Sequence, residues 1–192
     1  MTLDAEPTSA TANSFLTLAE FNAYLDSRVG GLTVKALNDD VKARLLVTAT
    51  RTLSYLLSGV RTFIMTDPAH YETSPKWTGA PVSTTQPLPW PRTGMFNLNG
   101  GEIASNVFPQ ELKDADAELA FQLYSKDSTL DNQVAVKGIT SIKAGSVALT
   151  FDTKGMVATK ILPDAVRFMI PSSWLTDVVY DYLTEADFEV FK

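Results

Sequence analysis

The chain has 192 residues, 45% hydrophobic and 20% charged, enough for one ordinary globular domain and too apolar for disorder throughout. It has no cysteine and one histidine, His70, which excludes disulfides and thiolate chemistry and leaves most catalytic and metal-binding designs without their residues. Sixteen Lys and Arg against 22 Asp and Glu give a net charge of −6, the wrong sign for a domain that grips duplex DNA through its phosphates. No apolar run approaches the ~20 residues of a membrane-spanning helix, and residues 1–14 have neither the basic nor the apolar region of a secretory signal. The composition reads as an acidic, soluble, intracellular chain with no membrane partner.

Residues 1–14, rich in Ser, Thr and Ala, read as a flexible arm ordered only against a partner. Residues 15–192 read as one helical domain. Thr17-Leu-Ala-Glu20 has the form of a capping box ahead of Phe21, Tyr24 and Leu25, predicting a helix over 17–27 that ends near Gly30-Gly31. Asn38 to Ser58 is the clearest helix. Asn38 suits its cap, and Val41, Leu45, Thr48, Ala49, Thr52, Leu53, Leu56 and Leu57 recur at helical spacing, with Lys42, Arg44 and Arg51 toward the other side. From 61 to 106 the helical period is lost among prolines and glycines, while Tyr71, Trp77, Trp90 and Phe96 supply aromatic anchors; this predicts a long irregular loop. Pro109 starts a helix over about 109–126 with Leu112, Ala115, Leu119, Ala120 and Leu123 inward and Lys113, Asp114, Asp116 and Glu118 mostly toward water. A period of two through Val134, Val136, Ile139, Ile142, Val147, Leu149 and Phe151 predicts a β-hairpin at about 134–152. A last helical portion is expected after Pro163, restarting after Pro171 with Leu175, Val178, Val179, Tyr182 and Leu183 inward. The fold class is mainly α: a small helical bundle with a long aromatic, proline-rich loop and a small β-hairpin.

Isolated polar groups do not assemble into chemistry. His70 has no nucleophile or second base beside it in sequence and reads as a surface-loop histidine. Asp114, Asp116 and Glu118 do not converge on one helix face, so they read as a solvated surface rather than a metal site. Asp181, Glu185, Asp187 and Glu189 read likewise as a solvated face or acidic tail. Gly94, Gly100 and Gly101 lack the Gly-Lys-Ser/Thr ending of a phosphate loop, and Asn97-Leu-Asn-Gly100 is a turn signal instead. No catalytic residue, metal ligand or cofactor is assigned, and no enzymatic activity is expected. Lys42, Arg44 and Arg51 form the best nucleic-acid stripe, with 44 and 51 on one face, although three charges are a weak footprint.

The irregular segment carries the most specific pattern: Trp77-Thr78-Gly79, then Gln86-Pro-Leu-Pro-Trp90-Pro91-Arg92-Thr-Gly94. Together with Ala49-Thr-Arg-Thr-Leu53 before it and Pro109-Gln-Glu-Leu-Lys-Asp-Ala115 after it, this resembles a tailed-phage family described as DnaT-like single-stranded-DNA-binding, whose members look like head–tail connectors. Pro87 and Pro89 depart from the small residues common there. The motif residues Trp77, Gly79, Gln86, Trp90, Pro91 and Arg92 suit an interface, and equally a structural role in which Trp90 anchors the loop and Arg92 supplies a multi-donor head.

The resemblance implies a non-enzymatic connector located in the virion neck. It implies a ring of identical subunits, a dodecamer matching the portal, as well as contacts to portal and tail proteins and passage of DNA without sequence-specific binding. An acidic lumen would then repel phosphate. The alternative takes the description literally: a single-stranded-DNA-binding protein of replication, in which Trp77 and Trp90 stack on bases beside a basic groove.

Overall fold

A computed structural model describes residues 2–59, 61–64, 70–125, 141–144, 147–150, 162–176 and 179–182. Among these residues five α-helices are found: α1 Leu18–Ser27, α2 Gly31–Lys35, α3 Asp39–Leu56, α4 Gln110–Ser125 and α5 Asp164–Met169. The fold is mainly helical with a small antiparallel hairpin, β5 Ser141–Ala144 paired with β6 Val147–Thr150. The remaining strands are β1 Arg61–Ile64, β2 His70–Thr73, β3 Ala80–Pro81, β4 Arg92–Thr93 and β7 Val179–Tyr182.

Local chemistry sets the helix starts. Thr17 Oγ1 accepts from the Glu20 N–H at 3.2 Å while Glu20 Oε2 accepts from the Thr17 N–H at 2.7 Å, satisfying two amides that the first turn leaves without helical partners. Asn38 Oδ1 caps α3 through the Asp40 N–H at 2.8 Å. The short α2 is unheralded in the sequence and folds directly back on α1. A Cβ at Gly31 would lie 2.1 Å from the Leu25 carbonyl oxygen, so only glycine permits this approach.

Helix α4 is the centre of the bundle, packed against α1, α2, α3 and α5. Its neighbours close over Leu112, Ala115, Leu119 and Ala120, which join Phe15, Phe21, Leu25, Leu46 and Leu53 in one core. Being enclosed on several sides, α4 also buries Asp116 and Glu118, which were expected to face water.

The face of α3 differs from the expected one as well. The buried positions are Lys42, Ala43, Leu46, Val47, Ala49, Thr50 and Leu53, while Val41 and Thr48 are exposed. Apolar and small residues lie nearly all round this helix, so the spacing alone leaves its rotation unresolved.

Three other expectations change. The 61–106 segment contains strands: β1 pairs β2, and β2 pairs β7, all antiparallel. His70 thus lies on a strand, opposite Ile64 and Tyr182. The helix expected to restart after Pro171 is one 3₁₀ turn, Ser172–Trp174, followed by strand β7; β-branched and aromatic residues such as Val179, Tyr180 and Tyr182 favour that outcome. The arm is ordered in this structure. Asp4 accepts from Ser9 and Thr11 hydroxyls at 2.6 and 2.7 Å, Asn13 Oδ1 accepts from the Asp4 N–H at 3.0 Å, and Leu3 and Ala12 pack on the core. Residues 134–140, 145–146 and 151–152 of the expected hairpin, and Val178, Leu183, Glu185, Asp187 and Glu189, lie outside the described residues.

Candidate nucleic-acid interface

The Trp-x-Gly and Gln-to-Gly94 motif builds a folded loop whose tryptophans are enclosed. Trp90 is 1% exposed, with the Trp77 ring 5.7 Å away at 85° and the Trp174 ring 5.1 Å away at 51°. Offset and edge-on contacts of this kind add to the area that aromatic rings bury. Trp174 Nε1 donates to the Phe96 carbonyl at 2.7 Å. The Trp77 segment is stitched to the C-terminal part by the Thr78 N–H to Trp174 carbonyl bond at 2.8 Å and the Thr176 N–H to Lys76 carbonyl bond at 2.9 Å.

The polar motif residues point inward to the same loop. Arg92 donates through Nε to the Thr78 carbonyl at 2.7 Å, through Nη1 to Pro89 at 3.0 Å and through Nη2 to Gly79 at 3.0 Å. Burial lowers its pKa. Gln86 Nε2 donates to the Leu88 and Pro91 carbonyls at 2.7 and 3.1 Å, and its Oε1 accepts from the Ser83 N–H at 2.9 Å. Pro91 is buried, and its peptide bond with Trp90 is cis. Gly79 has φ +64, and a Cβ there would lie 2.5 Å from the Thr93 carbonyl oxygen, which accounts for the glycine on both conformational and steric grounds. Trp77 and Trp90, the expected stacking platforms, are enclosed and present no face to a base.

The basic stripe is altered too. Lys42 is 4% exposed. Its Nζ pairs with Asp39 at 2.8 Å and donates to Asn22 Oδ1 at 3.1 Å and to the Lys35 carbonyl at 3.3 Å, so it ties α1, α2 and α3 together and does not face solvent. Arg44 and Arg51 are exposed. Seven residues apart on α3, they share a face about 10 Å apart along the axis. One turn past Arg51 stands Tyr55, 62% exposed. Arg44, Thr48, Arg51 and Tyr55 follow steps of four, three and four, a single outward stripe. A shallow groove lined by Val41, Arg44, Leu45, Thr48 and Leu123 runs beside its first half.

Asp39 and Asp40 open α3, and Asp40 lies one turn before Arg44; past them the sequence of this stripe is positive. None of the 22 acidic residues lies between positions 41 and 66, whereas Lys42, Arg44, Arg51 and Arg61 do. Tyr55 is not among the residues the sequence pattern singles out. Its place four residues after Arg51 was the signal that locates it.

The acids read as a solvated face have other roles. Glu118 receives Arg28 at 2.8 and 2.9 Å, the Tyr24 hydroxyl at 2.7 Å and Gln122 at 2.8 Å. Burial pushes its pKa up, but these hydrogen bonds outweigh it and hold the carboxyl below its ordinary value. Asp116 is fully buried and accepts from Thr50 Oγ1 at 2.8 Å. Burial pushes its pKa up to about 8 against the opposing bonds from Thr50 and the Phe15 backbone. Neither acid shares a ligand position with Asp114, and the three do not converge.

A family model described as "Putative DnaT-like ssDNA binding protein" matches residues 1–179. The chain belongs to this family. No curated protein and no solved structure matches it. The head–tail connector expected from the motif is therefore corrected. The family match points to single-stranded DNA and brings no phage structural protein with it. The ring, portal and virion expectations rested on that connector reading alone.

Proposed function

We propose that this chain is a single-stranded-DNA-binding protein. The observation that carries the reading is the match of the DnaT-like single-stranded-DNA-binding family over residues 1–179. The physical objection is the net charge of −6, since phosphate neutralisation supplies much of the affinity for DNA. The distribution of charge bears on it: exposed Arg44 and Arg51 follow Asp39 and Asp40 on α3, and no further acid comes before Asp67, while binding depends on the local field more than on the total. Few cations imply modest affinity, and a shallow helical face suits a flexible strand whose bases are free to stack.

The test is a titration of fluorescently labelled oligonucleotide against the full chain at low salt, competed with unlabelled single strand or duplex of the same sequence. Displacement by single strand at lower concentration than by duplex is expected. Equal displacement by both, or no binding at low salt, overturns the reading.

A further inference from the structure

We propose that the outward stripe of α3 is the single-strand contact surface, with Arg44 and Arg51 holding phosphates and the Tyr55 ring stacking on a base. This assignment rests on the single-strand reading above and adds to it a place and a mode of base contact. Single-strand sites of this class combine cations that track the backbone with aromatic faces on which bases stack, which makes them tolerant of sequence.

Elimination among the described residues favours this surface. Arg28 is paired with Glu118, Lys35 with Asp26, Lys42 with Asp39 and Lys113 with Glu20. Arg92 is committed to three carbonyls. Lys76 is exposed and Arg167 half-buried, each apart from the other; Arg44 and Arg51 are the two exposed cations that share one helix face among the described residues. The three tryptophans are 6%, 1% and 1% exposed. Phe96, Tyr124 and Phe168 are also exposed, but among the described residues Tyr55 is the aromatic ring on the same helix face as both guanidiniums.

The geometry suits a short run of nucleotides. From Arg44 to Tyr55 the stripe spans about 16 Å along the helix axis. Thr48, lying between the two arginines, is small enough to let a strand pass close to the helix. The groove floored by Leu45 and Leu123 beside Arg44 offers a second apolar seat for a base. The helix ends beyond Tyr55, where Ser58 bridges to Lys76; Lys76 is exposed at that end and extends the positive character of the path.

The experiment measures affinity of a labelled oligonucleotide of mixed sequence for the full chain and for Tyr55→Ala, Tyr55→Phe, Arg44→Gln and Arg51→Gln, with circular dichroism confirming the fold of each. Tyr55→Ala should weaken binding about five- to a hundredfold, the range for losing one stacked base, while Tyr55→Phe keeps the ring and stays within about twofold. Each arginine replacement should reduce the steepness of the log affinity against log salt plot by about 0.7. If the wild-type chain binds and all four folded variants bind equally well with the same salt dependence, the surface is wrong and the single-strand reading survives. If the wild-type chain itself fails to bind single strand at low salt, the reading falls and this assignment falls with it.

Discussion

Trp90 sits between the Trp77 and Trp174 rings, and its indole nitrogen is buried without a hydrogen-bond partner among the described residues. Its value to the fold therefore lies in packing. Trp90→Ala is expected to cost about 3–5 kcal/mol, whereas Trp90→Phe, which keeps a ring against both neighbours and strands no acceptor, should cost about 1–2 kcal/mol. Urea unfolding of the three proteins checks this; equal losses for the two variants would show that the indole nitrogen matters after all. Asp116 gives a second test at this scale. Its folded-state carboxyl binds a proton more tightly than the ordinary value of 3.8, with a pKa of about 8 caused mainly by burial. The folded state thus holds a proton that the unfolded chain releases, so this group's effect is to lower stability as pH rises from about 4 to about 8, with no further change above. Asp116→Asn removes that titration while keeping an acceptor for Thr50. Denaturation midpoints at pH 5 and pH 8 should differ less in the variant than in the wild type, and an unchanged difference would contradict the assignment.

At the scale of elements, the capping box of α1 is the most local device in the chain. Thr17→Ala should cost about 1 kcal/mol of stability, and Thr17→Ser much less, because serine restores the hydroxyl that accepts from Glu20. Thermal unfolding distinguishes the two; an Ala variant as stable as wild type would show that the box is ornamental. Such local signals are what made α1, α3 and α4 legible in the sequence, since caps and apolar spacing act within a few residues. What escaped depended on distant partners. β2 and β7 pair residues 70–73 with 179–182, and no pattern near either segment announces the other. The burial of Asp116 and Glu118 follows from α4 being enclosed by four helices, a fact of assembly that α4's own sequence does not carry. The motif around Trp90 was legible with its loop-anchoring role as one reading, but the partners were not: the carbonyls of Thr78, Gly79 and Pro89 around Arg92 come from the folded loop. The candidate site divided in the same way. Arg44 and Arg51 were legible as a shared helix face, Lys42 was lost to a contact with α1 and α2, and Tyr55 emerged once its exposure was known.

For the molecule as a whole, the proposed function raises the question of how an acidic chain would hold an acidic ligand. The answer offered by the fold is segregation. Among the described residues Arg28, Lys35, Lys42, Arg92 and Lys113 are bound up in pairs or loop contacts, while Arg44 and Arg51 stand outward on one helix face. Two phosphate contacts of this kind imply weak but measurably electrostatic binding, since each neutralised phosphate releases counterions from a single strand. The decisive measurement is the affinity of the full chain for a single-stranded oligonucleotide across a series of salt concentrations. The predicted plot of log affinity against log salt falls with a slope of about −1.4, corresponding to two phosphate contacts. A flat plot, or no detectable binding at the lowest salt, would contradict it.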